Sequence, residues 1–250
     1  MNHLHKFIIL LSLLIISILS CSRMVIFVWE KSVSFYVSPD GNDQNIGTKE
    51  FPLLNIQTAV NRTYVIWEDD IPTNFNIYVK EGVYKPGAGL NPINVGLFFS
   101  DYPYERHLIN LSGGWNKDFS SRTGYSTLDG TNGLYHILWV GHPVKMANFI
   151  LKNGRATGST NYNAPIVSSD EYNPKFISAR FTSGGGLFLL ASTSTFSNII
   201  IMSNTSVSNG RQVSIYGGGN TLFINTLSSN DLYDKGTPGW GTNKIIFIPN

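Results

Sequence analysis

The chain has 250 residues, of which 42% are hydrophobic, 13% are aromatic and 14% are charged, and its formal net charge is +2. The many aliphatic and aromatic side chains exclude an intrinsically disordered chain, and the small net charge argues against nucleic acid as a partner. The single cysteine excludes an internal disulfide and a cysteine-based zinc site. The length suits one large domain or two small ones.

The amino terminus has the pattern of an export signal. The run Phe7–Leu19 is apolar except for two serines and, at 13 residues, is shorter than the roughly 20 residues that cross a bilayer as a helix. A serine and Cys21 follow, and this junction resembles a bacterial lipobox. We expect a signal peptide over residues 1–20, cleavage before Cys21, and a lipid on Cys21 that binds the exported protein to the bacterial outer membrane or cell surface. An uncleaved anchor is the alternative, because residues 24–29 are apolar again.

The segment after Cys21 predicts a polar tether and then a capped domain. We expect residues 21–34 to be the tether, residues 35–250 the folded domain, and residues 35–67 its amino-terminal cap. Asn55 can act as the N-cap of a short amphipathic helix, because apolar positions recur after it at three- and four-residue spacing. These positions are Ile56, Ala59, Val60 and Thr63. Phe75–Val79 predicts the next strand.

Three stretches of the sequence resemble a known family. They are YVSPDGNDQNIGTKEFPLLNIQTAV from Tyr36, IYVKEGVY from Ile77, and LSGGWNKDFSSRTGYSTLDG from Leu111. The first resembles the opening segment of bacterial pectin-lyase-like proteins, the second resembles their first rung, and the third resembles a segment common in that group. The resemblance implies an all-β fold: a single-stranded right-handed parallel β-helix (a solenoid) with a short amino-terminal capping helix, in a surface protein or lipoprotein. The group includes lyases, hydrolases and adhesins, so the resemblance implies no single activity.

The second half of the chain independently predicts buried parallel strands. Short apolar runs alternate with segments rich in Asn, Gly and Ser, and each run is too short for a helix and too apolar for a half-exposed strand. The runs are Ile137–Val140, Phe149–Leu151, Leu187–Leu190, Ile199–Ile201 and Leu222–Ile224. A β-sandwich is the structural alternative, because Asn153-Gly154 and Asn209-Gly210 are typical hairpin turns.

A recurring asparagine predicts the length of one coil. Asn148, Asn198 and Asn220 each precede an apolar run, and they stand 50 and then 22 positions apart. A coil of about 22 to 25 residues would place one further coil near residues 176–181. No obvious amphipathic cap follows the last apolar run, Ile245–Ile248. Three alternatives stay open: this run folds back as the cover, the open end of the solenoid recruits a partner by self-association, or the natural chain was once longer.

Sugar cleavage is the alternative function, and few residues could perform it. The candidates are Asp118, Asp129, Arg155, Arg180 and Arg211. The two aspartates, together with Arg122, would form an acid–base cluster near a groove. Arg155, Arg180 and Arg211, 25 and 31 positions apart, would bind acidic sugars or supply the base of a lyase. The structural interpretation is an Asp118–Arg122 ion pair, an Asp129 turn and chance spacing of the arginines. No histidine or acidic spacing matches a metal site, so no metal or cofactor is predicted; calcium would enter only with a lyase.

Aromatic residues in polar, loop-like contexts are the stronger functional signal. Ring faces stack on sugars and anchor interfaces. The candidates are Trp115, Tyr125, Tyr162, Tyr172, Tyr233 and Trp240. Packing of loops onto the coils is the structural interpretation of these rings. We expect a non-catalytic surface role, as glycan or protein binding, adhesion or envelope structure, and the alternative is a polysaccharide lyase or glycoside hydrolase.

Overall fold

The computed structural model describes residues 31–66, 73–86, 89–90, 97–99, 108–131, 136–141, 143–156, 184–190, 193–206, 212–216, 220–228, 232–235 and 244–248. The predicted signal peptide and Cys21 lie outside the described residues.

The largest sheet is a path of strands that follows the order of the chain. It contains β1 (Lys31–Val37), β2 (Thr73–Lys80), β6 (Leu108–Trp115), β9 (Val144–Lys152), β12 (Ser194–Met202), β15 (Asn220–Ile224) and β18 (Lys244–Ile248). Four shorter strands branch from the path or extend a branch: β3 (Gly82–Pro86), β4 (Gly89–Leu90), β7 (Ser126–Asp129) and β16 (Leu227–Ser228).

A second sheet repeats the same order with shorter strands. It contains β5 (Leu97–Phe99), β8 (Leu138–Val140), β11 (Leu187–Leu190), β14 (Val213–Tyr216) and β17 (Leu232–Lys235). A third sheet pairs β10 (Arg155–Ala156) with β13 (Thr205–Ser206). Every pair of named strands among the described residues is parallel. The predicted all-β class with parallel strands is therefore confirmed, and the hairpin-based sandwich is wrong for these strands.

The core lies between the inward faces of the strands. In β2 the buried residues Phe75, Ile77 and Val79 alternate with half-buried ones, as the two-residue period of a strand requires. Ladders of like side chains continue from strand to strand: Phe196 lies opposite Phe223, and their rings stack at 5.3 Å. Such ladders bury apolar surface that no single strand could bury alone.

One short helix, α1 (Ile56–Ile66), is present among the described residues, and it confirms the predicted helix. Ile56, Ala59, Val60 and Thr63 are all fully buried. The Asp43 carboxylate accepts the backbone N–H groups of Leu54 and Asn55 and the side-chain amide of Asn55. These bonds tie the loop to the chain just before the helix begins.

The first strand begins earlier than the predicted tether boundary. Lys31–Ser34, placed in the tether by their polarity, pair in register with Thr73–Asn76. Backbone pairing with β2 decides the conformation here, because a polar outward side chain costs a strand little.

The predicted coil length of 22 to 25 residues is wrong for most of the path. Neighbouring residues are 42 positions apart between β1 and β2 (Lys31 and Thr73), and 50 apart between β9 and β12 (Phe149 and Ile199). The predicted further coil at residues 176–181 lies outside the described residues, but β9 and β12 pair directly. Parallel pairing fixes the strands and leaves the connections free to vary in length.

The bend asparagines Asn148, Asn198 and Asn225 occupy equivalent positions on β9, β12 and the end of β15. Their φ angles are 63°, 51° and 48°, and Asn198 donates its amide to the Asn148 side-chain oxygen at 3.3 Å. The register places Asn225 opposite Asn198, so the prediction that Asn220 belongs to this series is wrong. Asn tolerates the left-handed conformation better than most residues, which explains its recurrence at the bend.

The path ends at β18, which pairs with β15. Ile246 in β18 is 41% exposed. Self-association at this end stays a prediction.

Candidate functional site: an aromatic row

Two tyrosines face outward from the first two strands of the path. Tyr36 lies between the buried Phe35 and Val37, so strand alternation turns its ring to the other face of the sheet. Tyr78 lies opposite it in register, and the two rings stack with centroids 5.0 Å apart and planes 19° apart. This geometry is a favourable cross-strand aromatic pair.

Trp115 extends this pair into a row of three half-buried rings. It lies at the end of β6, and its ring packs edge-on against Tyr78 with centroids 5.2 Å apart. The indole Nε1–H donates to the Ser112 hydroxyl at 3.0 Å. Gly114 has φ 73°, and a Cβ there would collide with the Gly124 carbonyl oxygen; only glycine therefore fits the turn that presents Trp115. Tyr36, Tyr78 and Trp115 are called the aromatic row below.

Two cationic side chains lie over the ends of the aromatic row. The Lys49 ammonium is 5.7 Å from the Tyr36 centroid, and the Arg122 guanidinium is 5.8 Å from the Trp115 centroid. Both distances allow a cation–π interaction. Arg122 therefore does not form the predicted ion pair with Asp118, whose carboxylate instead accepts a 2.9 Å hydrogen bond from the Ser120 hydroxyl.

Amide side chains run beside the aromatic row on the same outward face. Asn110 donates to Asn76 at 3.1 Å, and Asn76 donates to the Ser32 hydroxyl at 3.0 Å. Asn76 stands two residues before Tyr78 on β2, so both side chains point to one side of the sheet. Rings next to hydrogen-bonding groups suit a ligand with apolar and hydroxyl-bearing faces.

Hydrogen bonds, neighbouring charges and burial shift the pKa values of three groups around the aromatic row. The Ser120 hydroxyl lowers the pKa of Asp118, and a hydrogen bond and charge from Lys80, 2.8 Å away, lower the pKa of Asp40. Burial, then the neighbouring Tyr78 and Glu50, raise the pKa of Tyr36. The Tyr36 hydroxyl therefore stays protonated at neutral pH and can donate a hydrogen bond.

The two aspartates of the catalytic alternative lie in different surroundings. Asp118 is exposed in the loop after β6. Asp129 is buried and accepts hydrogen bonds from Thr131 and Asn153, with the Lys152 ammonium 3.5 Å away. Burial raises the pKa of Asp129, but these hydrogen bonds and Lys152 outweigh it and lower the pKa to about 2. Its contacts are those of a structural carboxylate at a bend.

The remaining predicted site residues are dispersed over the structure or lie outside the described residues. Arg155 is exposed on β10 and pairs through its backbone with Thr205. Tyr125 is 37% exposed and takes part in none of the ring pairs among the described residues. Tyr233 lies in β17, where only its backbone is described. The rest lie outside the described residues: Tyr162, Tyr172, Trp240, Arg180 and Arg211.

Sequence reasoning found Trp115 but missed Tyr36 and Tyr78. The signal for the tyrosines was present, because FYV at residue 35 and IYV at residue 77 both place a tyrosine between two inward apolar residues. The criterion of polar neighbours selects aromatic residues in loops. It does not select aromatic residues on the outward face of a strand, whose neighbours in sequence are apolar.

The described ranges contain neither a cluster of metal ligands nor a helix that could cross a membrane. There, no group of three or more His, Cys, Asp or Glu residues could hold a metal ion. No helix in those ranges has the length and apolarity needed to span a bilayer. The comparisons with protein-family models, with curated proteins and with solved structures found no match.

Proposed function

We propose that this is an exported, lipid-anchored β-helix protein that binds glycans without cleaving them, and that the aromatic row is its binding surface. The stacked Tyr36–Tyr78 pair extended by Trp115 is the observation that carries the proposal. Three half-buried rings on the outer face of a sheet are not needed to fill the core.

The solenoid supports this proposal as its scaffold. Chain-order parallel strands in two sheets are what successive coils of a β-helix would produce. The right-handed sense follows the resemblance of the sequence to the pectin-lyase-like group and the general handedness of parallel crossovers. We place α1 as the cap of the first coil, because its buried face packs at the β1 end of the path.

Sugar recognition fits the chemistry of the row and its border. The C–H faces of a pyranose stack on aromatic rings, and its hydroxyls require donors and acceptors. Asn76 and Asn110 supply amides beside the rings. None of the contacts of Asp118, Asp129 and Arg155 in the described ranges brings them into one cluster, so we do not propose cleavage.

Glycan binding is tested with the full-length protein in detergent and the hexasaccharides of cellulose, chitin, xylan and polygalacturonate. We expect at least one to bind, and Tyr78→Ala and Trp115→Ala to weaken that binding about tenfold, or about 1.4 kcal/mol. Calorimetric titration measures both. Tyr125→Ala is the matched control, since it removes an exposed ring outside the row. Absence of binding to all four sugars, or an equal loss in Tyr125→Ala, would contradict the proposal.

The lipid anchor is tested separately by mass spectrometry of the mature amino terminus. We expect the mature chain to begin at Cys21 with a diacylglyceryl thioether. Cys21→Ala should abolish the added mass and the cleavage before residue 21. An unmodified Cys21 would remove the anchor from the proposal and leave glycan binding untouched.

A further inference from the structure

Residues 116–121 form a short strap beside the aromatic row. Trp115 and Arg122 form an antiparallel bridge at its base, and the Asn116 N–H donates to the Ser121 carbonyl oxygen at 2.9 Å. The N–H groups of Thr123 and Gly124 both donate to the Gly114 carbonyl. The base of the strap is therefore fixed to the end of β6.

A single side chain closes the strap on itself. The Asn116 amide oxygen accepts from the N–H groups of Ser120 and Ser121, at 2.9 and 3.3 Å. The amide nitrogen donates to the hydroxyls of the same two serines, at 3.0 Å each. All four bonds are exposed to water, which competes for them, so each contributes only about 1 kcal/mol or less to closure.

Phe119 closes the strap over the aromatic row. Its side chain is 5% exposed, and its ring packs edge-on against Tyr36 with centroids 5.1 Å apart. The Phe119 backbone has φ 54°, in the left-handed region that a bulky residue adopts only under strain. Burial of the ring favours the closed strap, and the backbone strain opposes it.

We propose that this strap is a gate over Tyr36, which opens at the Asn116 bonds and moves the Phe119 ring away so that a sugar can stack there. This inference rests on the proposed glycan binding at the row. In the closed form the rings of Phe119 and Tyr78 pack against the Tyr36 ring, so that no sugar can stack on it. Only the Trp115 ring and part of the Tyr78 ring are then left for a ligand to contact. The measured affinity is then reduced by the fraction of molecules whose strap is closed.

The gate is tested by two substitutions. One removes the Phe119 ring, and the other removes the four hydrogen bonds of the Asn116 side chain, which we call the latch. Phe119→Gly removes the ring and suits the left-handed backbone, and Asn116→Ala removes the four latch bonds. We expect both variants to bind the hexasaccharide that the wild type binds three- to tenfold more tightly. Lys117→Ala, an exposed strap residue outside the latch, is the matched control and should bind as the wild type does. Unchanged or weaker binding by Phe119→Gly would overturn the gate and make Phe119 part of the fixed platform.

A second measurement needs no ligand. Hydrogen exchange of the Ser120 and Ser121 amides should proceed through a local opening that is insensitive to low denaturant, and Asn116→Ala should accelerate it at least tenfold. Exchange of these amides only through global unfolding would overturn the gate. If none of the four hexasaccharides binds any variant, the proposed function fails, and hydrogen exchange still decides whether the strap opens.

Discussion

The bend asparagines and the aromatic row are both series of like residues on neighbouring strands, yet the fold requires only one of them. Asn148, Asn198 and Asn225 each have a positive φ, which the backbone path imposes at that bend. Tyr36 and Tyr78 sit in ordinary strand conformation on an outward face, where many residue types are accepted.

This difference separates the series that the backbone requires from the series that we propose to bind a ligand. A residue series that the backbone geometry demands carries no information about a ligand. The rings of the aromatic row lie outside the core on unstrained strands, and Tyr36 also packs against Phe119 of the strap; we propose that the row binds a ligand as well. Substitutions in the bend asparagines, at other buried polar residues and in the aromatic row should therefore differ in their effect on stability.

The largest expected effect is at a bend asparagine. Asn198→Val should lower the free energy of unfolding by about 2–3 kcal/mol, because a β-branched residue is strained at φ 51° and the hydrogen bond to Asn148 is lost. Asn198→Gly is the control and should cost less than about 1 kcal/mol, since glycine accepts this φ. Equal losses in denaturant unfolding would show that backbone conformation does not explain this asparagine.

Two buried serines give the next largest difference. Ser126 accepts from the Gly114 N–H at 2.9 Å and lies 2.9 Å from the Lys80 carbonyl oxygen, so Ser126→Ala should cost about 1–3 kcal/mol. Ser214 is equally buried, but its hydroxyl has no hydrogen-bond partner among the described residues. Ser214→Ala should therefore be neutral or stabilise the protein by up to about 1 kcal/mol. Similar destabilisation by both substitutions would contradict this account.

Acid should weaken a second bend, at Asp129. Its folded pKa of about 2 lies below the ordinary 3.8, so its ionised form stabilises the fold above about pH 4, and this contribution disappears as the pH falls through 2. We expect the stability difference between wild type and Asp129→Asn to be about 1–2 kcal/mol at neutral pH and to vanish near pH 2. A difference that does not change with pH would show that the carboxylate charge is unimportant.

The smallest expected effect on stability is at the aromatic row. Tyr78→Thr keeps a residue suited to a strand and should lower the free energy of unfolding by less than about 1.5 kcal/mol, the value of a cross-strand aromatic pair. A loss of about 3 kcal/mol or more in denaturant unfolding would show that the aromatic row is needed for folding. The comparison with the bend asparagines would then fail.

The sequence correctly predicted those strands and the helix that depend on a short stretch of the chain. The runs at Phe149–Leu151 and Ile199–Ile201 correctly indicated buried parallel strands, because continuous apolar runs of that length have few other uses. The spacing of Ile56, Ala59 and Val60 correctly indicated the helix.

What the sequence did not reveal depends on register between distant segments. Asn220 and Asn225 both flank the same apolar run, and only the pairing of β15 with β12 shows which one occupies the bend. The stacking of Tyr36 on Tyr78 likewise needs the register of strands 42 positions apart. Arg122 is near Asp118 in sequence, yet the turn at Gly114 brings Trp115 beneath it.

The most direct test is the indole N–H resonance of Trp115 during titration of the full-length protein with the four hexasaccharides. The resonance is assigned by its absence from Trp115→Phe. We predict a saturable shift of this resonance that Tyr78→Ala weakens and Tyr125→Ala leaves unchanged. A sugar that binds while the Trp115 resonance stays in place would show that the glycan site lies away from the aromatic row.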